Sequence, residues 1–420
     1  MNVDIIRKIK GFLQGETTNH LVKTYFVYGF IALGLIIIKV LITRLYGLEE
    51  MGVFTYFFSL VSLVFLFSSF GLPEALTQTI IKNPAQLKKT LQYTLFLLVP
   101  FTIIIIILTI GITSITKLNP NLPYFNTAVA IYIITYTIHY VTYCFLRGQK
   151  KFSTASLFSL AGRVLFIGLI IILYLINAPF IYILFSFGFS SFVIGVLAWP
   201  QISKSLRQLR NKTVFVEFKS FFLLAFSLFL MQVSFYSLKF VDALAIKYLT
   251  DFTSLGIYSA YASIANGLRM VAYVFPVVVL PMAAVSTYKL QKSFWRILLL
   301  LLPLTILTFF VSYLFVPGLY GTERRFILPL LLVISSSLLV IYSYFNSVFV
   351  GENSLTGFYL KILGIDFILS LVGNTLLTIV FVAKWGIVGA PIALSITVVI
   401  KIVLNIYGIR KLRNHSSKDE

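Results

Sequence analysis

Apolar runs of about twenty residues, each long enough to cross roughly 30 Å of hydrocarbon, recur from Thr24 almost to the end of this chain. They are continuous rather than alternating, so their backbone polar groups are satisfied within each segment as helices, not across a barrel. With 59% hydrophobic and 11% charged residues, the 420-residue chain has too little polar surface to coat a water-soluble core. The expected fold is an all-α integral membrane protein of about twelve spans: 24–44, 51–72, 90–112, 124–146, 153–176, 179–200, 220–247, 253–280, 294–317, 326–350, 355–382 and 386–409. Residues 1–22 carry Arg7, Lys8 and Lys10 beside Ile5, Ile6, Ile9, Phe12 and Leu13, and no small-residue cleavage site. They read as a cytoplasmic interfacial helix rather than a signal peptide.

A net charge of +21 could signal a nucleic-acid partner, but its placement excludes one. With the N-terminus inside, the external loops hold only Arg44, Lys117, Lys247, Arg324, Arg325 and Lys384; the other extramembrane basic residues fall on cytoplasmic segments. That bias predicts both termini in the cytoplasm and partnership with anionic lipid headgroups. One cysteine, Cys144, excludes an internal disulfide, and histidines at 20, 139 and 415 have no metal-ligand spacing. Neither a metal nor a cofactor is expected.

The longest polar interval, 201–219, splits the spans six and six and reads as a cytoplasmic basic linker between bundles at 23–200 and 220–410, with a tail at 411–420. At an offset near 204 residues, LYGLEEMGVF (45–54) aligns with LTDFTSLGIY (249–258), matching Gly52 to Gly256 and Phe54 to Tyr258. FLRGQKKF (145–152) aligns with FVGENSL (349–355), matching Gly148 to Gly351. Two matches at almost one offset predict a duplicated six-helix unit. Because six is even, the copies share an orientation, giving two pseudo-symmetric bundles around a central cavity whose access alternates.

The segment TRLYGLEEMGVFTYFFSLVSLVFLFSSFGLPEA (43–75), then FLRGQKKFSTASL (145–157), LGIYSAYASIANGLRMVAYVFPVVVLPMAAV (255–285) and WGIVGAPIALSI (385–396) resemble, in that order, the polysaccharide-biosynthesis flippases of the multidrug/oligosaccharidyl-lipid/polysaccharide exporter superfamily. The resemblance implies a transporter of undecaprenyl-pyrophosphate-linked oligosaccharide repeat units. It would carry them from the cytoplasmic to the outer leaflet of a bacterial inner membrane for O-antigen, capsule or other surface polysaccharide. Association with polysaccharide assembly proteins would follow. Ion-coupled multidrug antiporters of the same superfamily also have twelve spans and stay open as an alternative. A membrane polymerase or transferase would need clustered carboxylates or histidines in sizeable loops. The external acids Glu49, Glu50, Asp251 and Glu323 are not so clustered.

Ionisable groups at mid-membrane cost about 2.5–3.5 kcal/mol or more, so each needs a partner, water or a function. Arg163, Arg269 and Asp366 lie deepest, the arginines roughly 15 Å from the nearest helix end at 1.5 Å per residue. Lys39, Lys239, Asp242, Lys361 and Lys401 lie nearer the ends, where lysine stems can snorkel. Lys239 and Asp242, three apart, could neutralise one another on one helix face. Arg163 and Arg269, as helix clamps or as pyrophosphate ligands, with Lys39 and Lys239 extending the field, are the candidate cationic site. Asp242, Asp366 and His139 are candidates for counter-charge or for coupling to H+ or Na+, although His139, among Tyr136, Tyr140 and Tyr143, also fits a packing residue. Tyr258, Tyr261 and Tyr273 are candidates for stacking on sugars. Gly71-Leu72-Pro73, and Pro276 with Pro281, are expected to bend their spans.

Overall fold

The computed structural model describes residues 16–115, 120, 122–208, 218–272, 288–351 and 357–416. Among these residues the structure is helical, with no strand. In chain order the helices are α1 (Glu16–Tyr46), α2 (Leu48–Ser69), α3 (Leu72–Lys82), α4 (Leu87–Ile115), α5 (Phe125–Gly148), α6 (Phe152–Leu175) and α7 (Ile181–Gln208). They continue with α8 (Phe218–Leu249), α9 (Phe252–Ala272), α10 (Tyr288–Tyr320), α11 (Ile327–Gly351), α12 (Gly357–Ile368), α13 (Asn374–Trp385) and α14 (Gly389–Ser416). Nine stretches among the described residues are long and apolar enough to cross a membrane. One of them, Lys361–Lys411, contains the α13 to α14 turn at Trp385–Gly386, so it holds two of the expected spans.

Several expected boundaries move. Residues 1–15, Pro276, Pro281 and Tyr273 lie outside the described residues, while 16–22 belong to the long helix α1. Helix α7 runs through Pro200 to Gln208, into the expected linker. The bend at Gly71-Leu72-Pro73 is a complete break. Phe70 and Gly71 take φ of 47° and 67°, which ends α2, and Pro73 sits in the first turn of α3, where its missing N–H costs nothing.

The helices form two compact units. The first gathers the described residues of Met1–Ile38 and Phe67–Leu228, and the second those of Lys39–Leu66 and Phe229–Glu420. In the first, α5 packs against α3, α6 and α7. Thr77 Oγ1 donates 2.9 Å to the Cys144 carbonyl, and Gly148 lets Ile80 approach so closely that an added Cβ would sit 3.0 Å from it. Helix α4 turns Phe96, Val99, Ile103 and Ile107 outward, an apolar surface that only lipid can solvate.

In the second unit α9, α11 and α14 pack in series, with α10 on α9 and α13 on α14. Leu238, Leu339, Tyr342, Leu394 and Val398 form one buried cluster of this unit. The end of α1 is tied in by Arg44, whose Nε donates 2.8 Å to the Leu319 carbonyl and whose Nη2 donates to that of Gly318, at the C-terminal end of α10. Helices α2 and α9 approach each other backbone to backbone. A Cβ on Gly52 would fall 1.8 Å from the Phe252 carbonyl oxygen, and one on Gly256 would fall 2.1 Å from that of Leu48. Leu48 and Phe252, like Gly52 and Gly256, are 204 positions apart, so the contact is reciprocal: each helix offers the same glycine to the same carbonyl of the other. Here the sequence offset becomes a local two-fold relation between two helices that run in the same direction, with small residues permitting the contact as in lipid-embedded pairs.

Candidate functional site

The buried charges of the second unit hang on serine, threonine and tyrosine hydroxyls presented by neighbouring helices. Lys39, half-buried in the C-terminal third of α1, donates from Nζ to Ser259 Oγ at 2.7 Å. The same oxygen accepts from Thr55 Oγ1 at 2.8 Å. Lys239, on α8, lies within the electrostatic reach of Lys39, with its ammonium 5.4 Å from the Phe240 ring centroid and 6.0 Å from that of Phe58. Hydrogen bonds to Asp242, also on α8, come from other helices: Tyr258 Oη donates 2.9 Å to Oδ2, and Thr378 Oγ1 lies 3.5 Å from Oδ1. These cross-helix donors, rather than Lys239 alone, account for a fully buried carboxyl.

Arg269, only 5% exposed, donates from Nε to Ser336 Oγ at 3.0 Å and feels the charge of Asp242. Its Nη2 is buried and has no hydrogen-bond acceptor among the described residues. Asn266 Oδ1, one turn earlier on α9, is likewise buried and unbonded.

Asp366 and Lys401 form the closest ion pair of the site, Nζ to Oδ2 3.3 Å. Lys401 therefore does not snorkel; it is wholly buried and hydrogen-bonded across to α8 and to the turn that follows α12. Lys361, in contrast, is exposed on the surface of α12.

In the first unit the site residues are Arg163 and His139. Arg163, on α6, packs its Cβ against Gly34 of α1 and interacts electrostatically with Tyr132 and Tyr136 of α5. Its Nη1 is buried and, like Nη2 of Arg269, finds no acceptor among the described residues. His139 is half-buried in an aromatic ladder, its ring centroid 6.0 Å from Tyr136 and 6.5 Å from Tyr143. The ladder continues through Tyr140 to Arg147, whose guanidinium caps the Tyr143 ring at 5.5 Å. Arg163 and His139 thus belong to one unit, and Lys39, Lys239, Asp242, Arg269 and Asp366 to the other.

Two of the sugar-stacking candidates have no free face. Tyr261 is fully buried; its hydroxyl donates 2.8 Å to the Glu323 carbonyl and accepts from the Arg325 amide, while Tyr258 is spent on Asp242. Sequence reasoning passed over Glu74, which accepts a hydrogen bond from Tyr140 Oη at the start of α3. Its position directly after Gly-Leu-Pro, in the first turn of a helix, was the signal that could have found it.

Solved structures share this fold of bundled and broken helices, transporters of the multidrug/oligosaccharidyl-lipid/polysaccharide superfamily among them. An inward closed conformation of the lipid II flippase MurJ is 17% identical at a TM-score of 0.67, over 93% of this chain and 87% of that one. An inward-facing multidrug resistance MATE transporter is 15% identical at a TM-score of 0.65, over 93% and 96% of the two chains. A superfamily transporter from Pyrococcus furiosus is 15% identical at 0.53, over 96% and 97%. Residues 21–287 match the family described as polysaccharide biosynthesis protein, and the chain belongs to that family. No curated protein matches the sequence.

Proposed function

We propose that this protein is a flippase that carries undecaprenyl-pyrophosphate-linked oligosaccharide repeat units to the outer leaflet of a bacterial inner membrane, with both termini in the cytoplasm. The observation that carries this reading is that Arg163 and Arg269 each keep a buried guanidinium nitrogen for which the described residues supply no acceptor. A helix clamp would spend those donors, because a buried unbonded donor costs about 1–3 kcal/mol. A pyrophosphate leaving the headgroup layer supplies the missing oxygens, and charge-assisted bonds replace its lost water. Lys39 and Lys239 extend the positive field in the second unit. The donor and acceptor on one face of α9, Arg269 Nη2 and Asn266 Oδ1, suit a ligand that both accepts and donates, as a phosphorylated sugar does.

Ion-coupled multidrug export is the second reading, favoured by the fold similarity to MATE transporters and by buried Asp242 and Asp366. The excess of Lys39, Lys239, Arg269 and Lys401 over those two acids argues against a cationic drug as cargo. The test is complementation of a deletion strain. Restored surface polysaccharide without added ethidium efflux supports the flippase; efflux without polysaccharide supports the antiporter and overturns it.

A further inference from the structure

The Lys401 ammonium occupies a site built like that of a bound metal cation. It donates 2.8 Å to the Ser234 carbonyl and 2.5 Å to Ser370 Oγ, lies 3.3 Å from Asp366 Oδ2, and faces the Tyr342 ring at 4.2 Å from its centroid. A backbone carbonyl, a hydroxyl, a carboxylate and a π face are the hard and quadrupolar partners that alkali cations take. They converge from α8, α11, α12 and the π-helical turn Leu369–Gly373, which interrupts the helix just after Asp366 and brings Ser370 round to donate 2.7 Å to the Asp366 carbonyl. Tyr342 Oη fixes the carboxylate from the other side, donating 2.8 Å to Oδ2.

The cage has oxygens to spare. Asp366 Oδ1 and Ser234 Oγ are both buried without a hydrogen-bond partner among the described residues. A network serving only to join helices gains nothing from surplus buried acceptors, and well-packed apolar side chains would join them at least as well. A coordination sphere carries surplus oxygens as a matter of course, because a metal ion takes more ligands than an ammonium has protons.

We propose that this is an alkali-cation site whose occupant is tethered: the Lys401 ammonium stands where a dissolved Na+ or Li+ would bind. Asp366 is then neutralised without loading or releasing an ion here, and removing the lysine opens a site of net charge −1 to sodium or lithium. The inference concerns ion binding by this chain and holds whichever cargo it carries.

The test is thermal unfolding of the purified full-length protein in detergent, in NaCl, LiCl, KCl or choline chloride at equal ionic strength. Lys401→Ala is expected to gain, relative to wild type, a saturable upward shift of a few degrees in NaCl or LiCl over choline. Asp366→Asn added to it should abolish that gain. Lys401→Gln, which keeps much of the side chain's bulk, is measured in parallel in case the alanine variant folds poorly. Recovery of folded variant in NaCl but not in choline supports the cage. A salt response identical to wild type in both variants overturns it, as does failure of both to fold in either salt. Loss of polysaccharide export alone would bear on the proposed cargo, not on this site.

Discussion

Thr55 donates a 2.8 Å hydrogen bond to Ser259, its own counterpart 204 positions later in the chain. Only residues beside a local symmetry axis can meet their counterparts, so this bond marks where the axis relating α2 and α9 passes. Gly52 and Gly256 lie one turn away, each against the carbonyl of the partner's preceding turn. The hydroxyl pair also receives Lys39, so a charge and a symmetric contact share one oxygen.

Alanine at Gly52 or Gly256 is expected to force α2 and α9 apart, since a Cβ there would stand 1.8 or 2.1 Å from a backbone oxygen. Overpacking of this kind costs about 1–3 kcal/mol, and more where the obstacle is backbone. Thermal unfolding in detergent checks it, with Gly267→Ala, whose Cβ meets nothing within 4 Å, as the control. Wild-type midpoints for Gly52→Ala and Gly256→Ala would contradict the close contact.

Arg269→Lys is expected to keep part of the polysaccharide display, since the charge stays while the guanidinium fork is lost, and Arg269→Ala to lose most of it. The same order is expected at Arg163. Display is normalised to protein level by immunoblot. Normal display from well-expressed alanine variants at both positions would remove the pyrophosphate-ligand role.

Asp242→Asn keeps the shape and the Tyr258 hydroxyl within bonding range while removing the charge. If Asp242 is a counter-charge or coupling group, the variant should reach wild-type levels in the membrane yet export less. Tyr258→Phe, which leaves the carboxylate short of a buried donor, should lower stability by about 1–3 kcal/mol. Unchanged export by Asp242→Asn would assign the residue to packing alone.

The basic loops predict that a reporter fused after Lys212 stays in the cytoplasm. Phosphatase activity at that fusion, with none from a matched fusion after Tyr124, would invert the topology.

Most helices were legible because lipid imposes a length and an apolarity that a window of sequence can register, and deep arginines stand out against such a background. What each charge touches was not legible. Lys401, near the end of its span, fits snorkelling by depth, yet its partners are a carbonyl on α8 and a hydroxyl delivered by a π turn, neither of which leaves a trace in periodicity. Ser259, Ser336 and Ser370 read as small helix residues until another helix brings them a cation. Nor could spacing tell that residues 39–66 pack in the unit that holds 229–420, because segregation by sequence half is the simpler expectation of a duplication.

That packing has a cost in time. Helix α2 leaves the ribosome about 200 residues before α9, which at roughly 5–20 residues per second is an interval of ~10–40 s. Throughout it the groove at Gly52 lacks the helix that fills it, and Thr55 and Lys39 lack the hydroxyl that later receives both. Half of this symmetric contact is therefore made early in synthesis and waits on a helix from the second half of the chain for its completion.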